Sequence, residues 1–245
     1  MCLARFDARG RDPVVTWPGS GVGGLPFGLA ASTVGGVDDD QLWAHVANER
    51  RDVLALLQEL SAAEWDAASL CAGWRVRDVV GHLTMATDTP LSTAVVGLVR
   101  AGFDVDRFLR RSAVRRGSVP LTTLLAGWHR AVDSRRTPPG GTAGQMLVEV
   151  VSHHQDIRRP LDRPRATRPD RLRCALETAV RLGGPFGSRQ RAAGLRLVAT
   201  DLDWAHGAAG DPEVRGPGDA LLLGLLGRGS ALPDLSGRGS AAWSG

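Results

Sequence analysis

Glu149 and His153 stand four residues apart in LVEVVSHHQDIRRPL (147–161), a segment whose apolar residues recur at helical spacing. Side chains at that separation share one face of a helix, with Cβ atoms about 5–6 Å apart, so a carboxylate oxygen and an imidazole nitrogen can converge on one divalent cation. The adjoining His154 is rotated by about 100° around the helix. The residue four before it is Val150, which ligates nothing, so spacing selects His153 as the metal ligand. Asp156, one turn further on, is placed to accept a hydrogen bond from the imidazole. A Glu/His pair of this kind also describes an ordinary solvated contact on a helix surface.

The third candidate ligand, His82, lies in a run containing Val79, Val80, Gly81 and Leu83. A lone histidine on such a face is usually a satisfied core residue. A core that holds Glu149, however, needs a positive charge or a metal beside that carboxylate, because an unpartnered buried charge costs several kcal/mol or a shifted pKa, of the order seen on breaking buried ion pairs (about 3–5 kcal/mol). Two histidines and one carboxylate facing each other across helices remove the difficulty. They also leave a coordination position open, which is how catalytic zinc sites are built. Imidazole and carboxylate suit Mn²⁺, Ni²⁺ and Fe²⁺ as well, so the residues alone leave the metal open.

These residues need a helical scaffold, and the sequence provides one. Asp38, Asp39 and Asp40 suit a helix N-terminus, and Leu42, Val46, Val53, Leu56, Leu57 and Leu60 then recur at helical spacing, so a helix is expected over about 39–60. Residues 61–73 read as a connection. A second helix opens near Val76, Pro90 interrupts it, and 91–111 reads as one further helix. Another spans 121–134, a Pro-Pro-Gly-Gly turn follows at 138–141, and the helix bearing Glu149 and His153 runs about 142–159 until Pro160 stops it. Short connections between helices with one apolar stripe each imply an antiparallel bundle over residues 38–160.

Residues 161–184 read as a Pro/Arg linker and one more helix. From 185 the pattern changes. Leu195, Leu197 and Ala199 alternate with Arg196, Val198 and Thr200, a period of two that marks a strand, and a short strand at 213–218 and an apolar helix at 219–227 follow. Residues 185–245 are therefore expected to form a small α+β unit ending in a flexible Gly/Ser tail. Residues 1–37 are Gly-rich with no lasting period and are expected to be disordered or to precede the natural start, with Val34 and Val37 as alternative start positions. Gly19, Gly21 and Gly24 within them spell GxGxxG, but no strand and helix flank it, so dinucleotide binding is not expected.

Composition narrows the function classes. All 30 basic residues are arginine and the chain has no tyrosine, so a formal net charge of only +4 is enough to push the sequence pI to about 10.0. The high pI therefore does not indicate a phosphate-tracking surface, and nucleic acid is not an expected partner. No apolar run approaches the roughly 20 residues that span a bilayer, so no membrane partner is expected. Three cysteines, Cys2, Cys71 and Cys174, form neither a disulfide framework nor a CxxC pair. A soluble cytoplasmic protein is the expectation.

CAGWRVRDVVGHL (71–83) and the 147–161 segment, in this order, resemble two motifs of the DinB-like superfamily in its branch of mycothiol-dependent maleylpyruvate isomerases. The resemblance covers about 38–160 and implies a fold that is α+β but mostly α: a DinB-like four-helix bundle followed by a small sterol-carrier-like α+β domain. It places the family's three metal ligands on His82, Glu149 and His153. It also implies that Arg228, beside Gly227, binds the thiol cofactor. The cofactors implied are a divalent metal and mycothiol, and the partners are a small thiol and an electrophilic substrate. The chemistry implied is metal-assisted formation of a thiolate for cis–trans isomerisation or S-transfer. The alternative is a non-catalytic metal-binding or regulatory module on the same bundle. This chain departs from the family pattern at His154, where a small residue is common.

Overall fold

The computed structural model describes residues 36–183 and 186–243. The expected N-terminal segment and its GxGxxG motif lie outside the described residues, apart from Gly36 and Val37.

Helix α1 runs Asp39–Glu59. Its start is set by a capping box: Asp38 accepts from the Gln41 amide at 2.8 Å, and the Gln41 side chain accepts from the Asp38 amide at 3.3 Å. A short helix α2 (Ala62–Asp66) lies within the expected connection, nucleated by the same device between Ser61 and Glu64. Helix α3 (Val76–Leu83) leads into the single turn α4 (Met85–Asp88), and then come α5 (Leu91–Arg100), α6 (Val105–Gly117), α7 (Leu121–Ala131) and α8 (Ala143–Arg158). The single helix expected over 91–111 is thus two. The chain turns at Gly102 and Phe103, both at positive φ (71° and 62°), and Asp104 then restarts the helix by accepting from the Arg107 amide at 2.8 Å.

α1, α3, α7 and α8 meet around a core that includes Leu42, Val53, Leu57, Val76, Val80, Trp128, Leu147 and Val151. Trp128 on α7 is buried, and its indole N–H donates to the Arg50 carbonyl of α1 at 3.0 Å. The Arg50 guanidinium in turn donates to the carbonyls of Ala131 and Ser134, both at 2.7 Å, satisfying the open end of α7.

α6 crosses α3 closely at Gly81, the residue before His82. A Cβ added at Gly81 would lie 2.8 Å from the Gly117 amide nitrogen and 2.9 Å from the Ala113 carbonyl oxygen, both backbone atoms that cannot swing aside. Gly81→Ala gains about 1 kcal/mol of helix propensity. Overpacking against fixed backbone costs about 1–3 kcal/mol and wins. The variant should therefore unfold at lower urea concentration, and a midpoint at or above wild type would contradict this close crossing.

The rest of the chain packs on α8. Helix α9 (Pro169–Ala179) leads through α10 (Ser188–Ala192) to the strands β1 (Arg196–Ala199), β2 (Ala205–His206) and β3 (Glu213–Gly216), and then to α11 (Gly218–Leu225). The sheet order is β2-β1-β3, with Leu197 opposite His206 in the antiparallel pair and opposite Val214 in the parallel pair. Leu195, Leu197 and Ala199 are buried, as the alternation predicts. α11 covers the sheet and packs on α9, and Leu172, Leu176, Leu221, Leu222 and Leu225 from the two helices join the bundle core in one continuous cluster. The fold is mostly helical with this small sheet, as expected. The tail expected to be flexible instead folds back in two 3-10 turns, Gly229–Asp234 and Arg238–Trp243. Ser236 and Arg215 exchange backbone hydrogen bonds of 2.8 and 2.9 Å, and the Trp243 indole donates to the Arg191 carbonyl at 3.0 Å. The Gly/Ser composition signalled turns that pack closely, not freedom.

Candidate metal centre

The capping box of Thr142 and Gln145 sets the start of α8 and so fixes which of its residues face α3. Glu149 and His153 face it, as the spacing predicts. Nε2 of His153 lies 3.2 Å from Glu149 Oε2, and Nε2 of His82 lies 3.5 Å from the same oxygen. The His82 and His153 rings meet edge to face, with centroids 5.1 Å apart. One donor atom from each of the three residues lies within 4.8 Å of the other two. Ligands of a tetrahedral zinc, each roughly 2.0–2.2 Å from the ion, stand about 3.3–3.5 Å apart, so this spacing fits such an ion.

The protonation pattern points the same way. Burial pushes the Asp156 carboxyl up, but the Arg228 charge and the His153 hydrogen bond outweigh it and hold the group ionised. Asp156 is therefore an acceptor, and His153 Nδ1, 2.8 Å from its Oδ2, carries the proton. That leaves His153 Nε2, buried and without a hydrogen bond, as a lone pair directed at a carboxylate oxygen. Two acceptors facing each other at 3.2 Å repel unless a cation or a proton lies between them. Without a cation, the proton goes to His153: burial lowers its pKa, yet the Asp156 and Glu149 carboxylates outweigh that and raise it. His82 differs, since burial dominates and takes it down to about 3, so it stays neutral. Burial also pushes the Glu149 carboxyl up, but positive charge and hydrogen bonds from His153 and His82 together outweigh it and hold the group well below its usual range.

Asp156 is the hub behind the site. It accepts from His153, from Cys71 Sγ at 3.3 Å and from Arg228 Nη2 at 3.0 Å. Arg228, expected beside a thiol cofactor, turns inward from the end of α11 and pairs with this fully buried carboxylate. Cys71 Sγ also lies 3.6 Å from His153 Nδ1, so a second group of donor atoms, Cys71, His153 and Asp156, adjoins the first. The Trp74 ring packs at 5.1 Å on the other side of His82. Among the three candidate ligands Glu149 is the most exposed, at 16%, which marks the side open to solvent.

His154 points the other way, to a buried ion network that the sequence reading did not anticipate. Arg158 Nε donates to His154 Nε2 at 2.8 Å, so the ring's Nδ1 carries hydrogen and donates to Glu49 Oε1 at 2.6 Å. Glu49, fully buried on α1, also pairs with Arg165 at 2.7 Å and Arg171 at 2.8 Å. A signal was present: Glu49 follows Val46 by three residues and precedes Val53 by four, so it falls on the apolar stripe of α1.

A helical bundle that brings two histidines and one carboxylate together, followed by a small α+β unit, is the arrangement the chain presents. Residues 46–138 match the family model "Mycothiol maleylpyruvate isomerase N-terminal domain". The match includes His82 and stops short of α8. In fold, the chain is similar to the crystal structure of a mycothiol-dependent maleylpyruvate isomerase, with a TM-score of 0.57, 16% identity, and coverage of 84% of this chain and 95% of that one. A variant of such an isomerase with one histidine replaced by alanine matches with a TM-score of 0.56 at the same identity and coverage. No sequence among the curated proteins matches. The likeness to the mycothiol-dependent maleylpyruvate isomerases is thus one of sequence over residues 46–138 and of fold over most of the chain. No described helix is long and apolar enough to cross a membrane.

Proposed function

We propose that this chain is a metal-binding, mycothiol-dependent enzyme of the maleylpyruvate isomerase type, in which His82, Glu149 and His153 hold one divalent cation, expected to be zinc. The observation that supports this is the approach of two imidazole nitrogens to one carboxylate oxygen at 3.2 and 3.5 Å. A cation held there would supply a Lewis acid that lowers the pKa of a thiol brought to it.

The remaining work belongs to the chain's own residues. Asp156 holds the His153 proton on Nδ1 and so keeps Nε2 free to ligate. Arg228 neutralises Asp156 and in this reading serves the cofactor site through His153. Trp74 covers His82 and excludes water from that side. The thiol and an electrophilic small molecule approach past Glu149. No serine or cysteine is assigned as nucleophile. Neither Cys71 nor Cys174 forms a disulfide among the described residues, in keeping with the reducing cytoplasm this reading assigns.

Elemental analysis of the purified chain should find about one metal per molecule, as a three-ligand site requires. The metal should be lost in His153→Ala. Full retention in a His82→Ala, His153→Ala double variant would overturn the site. Binding also has to displace the proton that the raised pKa of His153 retains. Affinity should therefore fall roughly tenfold per pH unit below that pKa, above the ordinary value of about 6.5. Competition against a chromophoric chelator at several pH values measures this, and a flat profile would exclude His153 as a ligand. For the reaction itself, electrophile turnover by metal-loaded protein should require mycothiol. An inert metal-loaded protein would overturn the catalytic half of the proposal.

A further inference from the structure

Helix α5 has no buried side chain, although its sequence, LSTAVVGLVR, is largely apolar. Every other described helix of eight or more residues buries several. Leu91, Val95 and Val99, at successive i,i+4 positions, form an exposed stripe with Val96 beside it. The stripe continues to Phe103, which is 71% exposed at the turn into α6. Its φ of 62° lies in the left-handed region that bulky residues avoid, so the turn holds an aromatic ring out into solvent at a conformational cost.

The same hairpin concentrates positive charge. Residues 91–117 hold six arginines against two aspartates, a surplus of four, which equals the formal net charge of +4 of the whole chain. Arg100, Arg111 and Arg115 line a shallow groove of about 230 Å³ between α5 and α6, together with Val96 and Phe108. No carboxylate lines the groove, and none of the three arginines has an ion-pair partner among the described residues. Arg111 and Arg115 are four apart on α6, a like-charge spacing that weakens a helix unless an external anion relieves it.

We propose that the α5–α6 hairpin docks on an anionic lipid bilayer. The valine stripe and Phe103 enter the boundary between headgroups and acyl chains, and Arg100, Arg111 and Arg115 reach the lipid phosphates. A short amphipathic surface with aromatic and branched residues on one side and arginines along its edge is what binds in the plane of such a membrane. Arginine suits the edge because its stem lies along apolar surface while the guanidinium stays with the phosphates. The absence of a spanning segment does not bear on this, because a surface helix needs no length of about 20 residues. A second copy of the chain is a poor occupant, since a two-fold contact would set the same arginine surplus against itself. Nucleic acid would pair the guanidiniums but leave the valine stripe and Phe103 in water.

Co-sedimentation of the full chain with vesicles tests the proposal. Binding is expected to phosphatidylcholine vesicles containing phosphatidylglycerol and not to phosphatidylcholine alone, and it should weaken in high salt. Arg111→Gln with Arg115→Gln should lose roughly fivefold in partitioning per arginine. Val95→Asp with Val99→Asp, at exposed positions that leave the fold intact by circular dichroism, should abolish binding. Absence of binding to the anionic vesicles would overturn the proposal. So would unchanged binding by the valine variant, which would mean simple charge adsorption. A wild-type dimer in analytical ultracentrifugation that Val99→Asp converts to monomer would also overturn it and assign the face to a second copy.

Discussion

Arg228→Met should destabilise the protein by about 3–5 kcal/mol, the cost of leaving a buried carboxylate without its charged partner. Asp156 is fully buried and its Oδ2 accepts from Arg228 at 3.0 Å. The methionine keeps most of the aliphatic volume, so the loss reports charge more than packing. Asp156 would have to take up a proton or face its burial alone, since burial is the largest influence on its pKa and acts to raise it. A protonated Asp156 no longer fixes the proton of His153 on Nδ1. In the metal-bound reading, affinity should then fall about 10–100-fold, as it does when the partner of a ligating histidine is lost. Arg228→Lys should recover part of the stability but not all of it, because an ammonium cannot match the guanidinium fork. Urea unfolding gives the first quantity and chelator competition the second. A variant that loses stability while keeping metal affinity would reduce Arg228 to a structural staple between α11 and α8. A variant that loses neither would contradict the buried pair.

This link was the part of the site least legible in the sequence. Glu149 and His153 could be read from a four-residue spacing, since a helix brings such residues together whatever surrounds it. His82 needed an argument about burial and the family resemblance, because no local rule joins residues 67 positions apart in the chain. Arg228 lies another 75 residues beyond His153, in the other unit, and its partner depends on how α11 packs on α8. Only the tertiary fold decides that. The same distinction explains the elements. The capped helix α1 and the alternating strand β1 follow from local chemistry and appear where expected. The helix expected over 91–111 broke because Gly102 and Phe103 adopt positive φ, and periodicity is blind to one turn. The tail read as flexible because it is rich in small residues, yet Trp243 closes over Gly224 and ties to Arg191.

Glu49→Ala should cost about 3–5 kcal/mol as well, with an opposite signature at the proposed metal site. Glu49 binds Arg165, Arg171 and His154 on the face of α8 turned away from His153. Its removal leaves the two guanidiniums with Asp52, which is 40% exposed and already shared between them at 2.7 and 2.6 Å. Stability should fall by about 6–20 °C in melting temperature for a chain of this size, while metal content per folded molecule stays at the wild-type value. The network also sets an acid limit. Burial pushes the Glu49 carboxyl up, but His154 and Arg165 outweigh it and hold its pKa far below the usual carboxylate range. The unfolded chain takes up that proton near pH 4.3 and the folded chain does not. The stability Glu49 contributes is therefore complete above that pH and drains away as pH falls below it. Glu49→Ala should lose less stability than wild type between pH 5 and pH 3, so the two urea midpoints converge on acidification. Parallel midpoints over that range would mean that Glu49 titrates alike in both states, and that the network does not hold its charge.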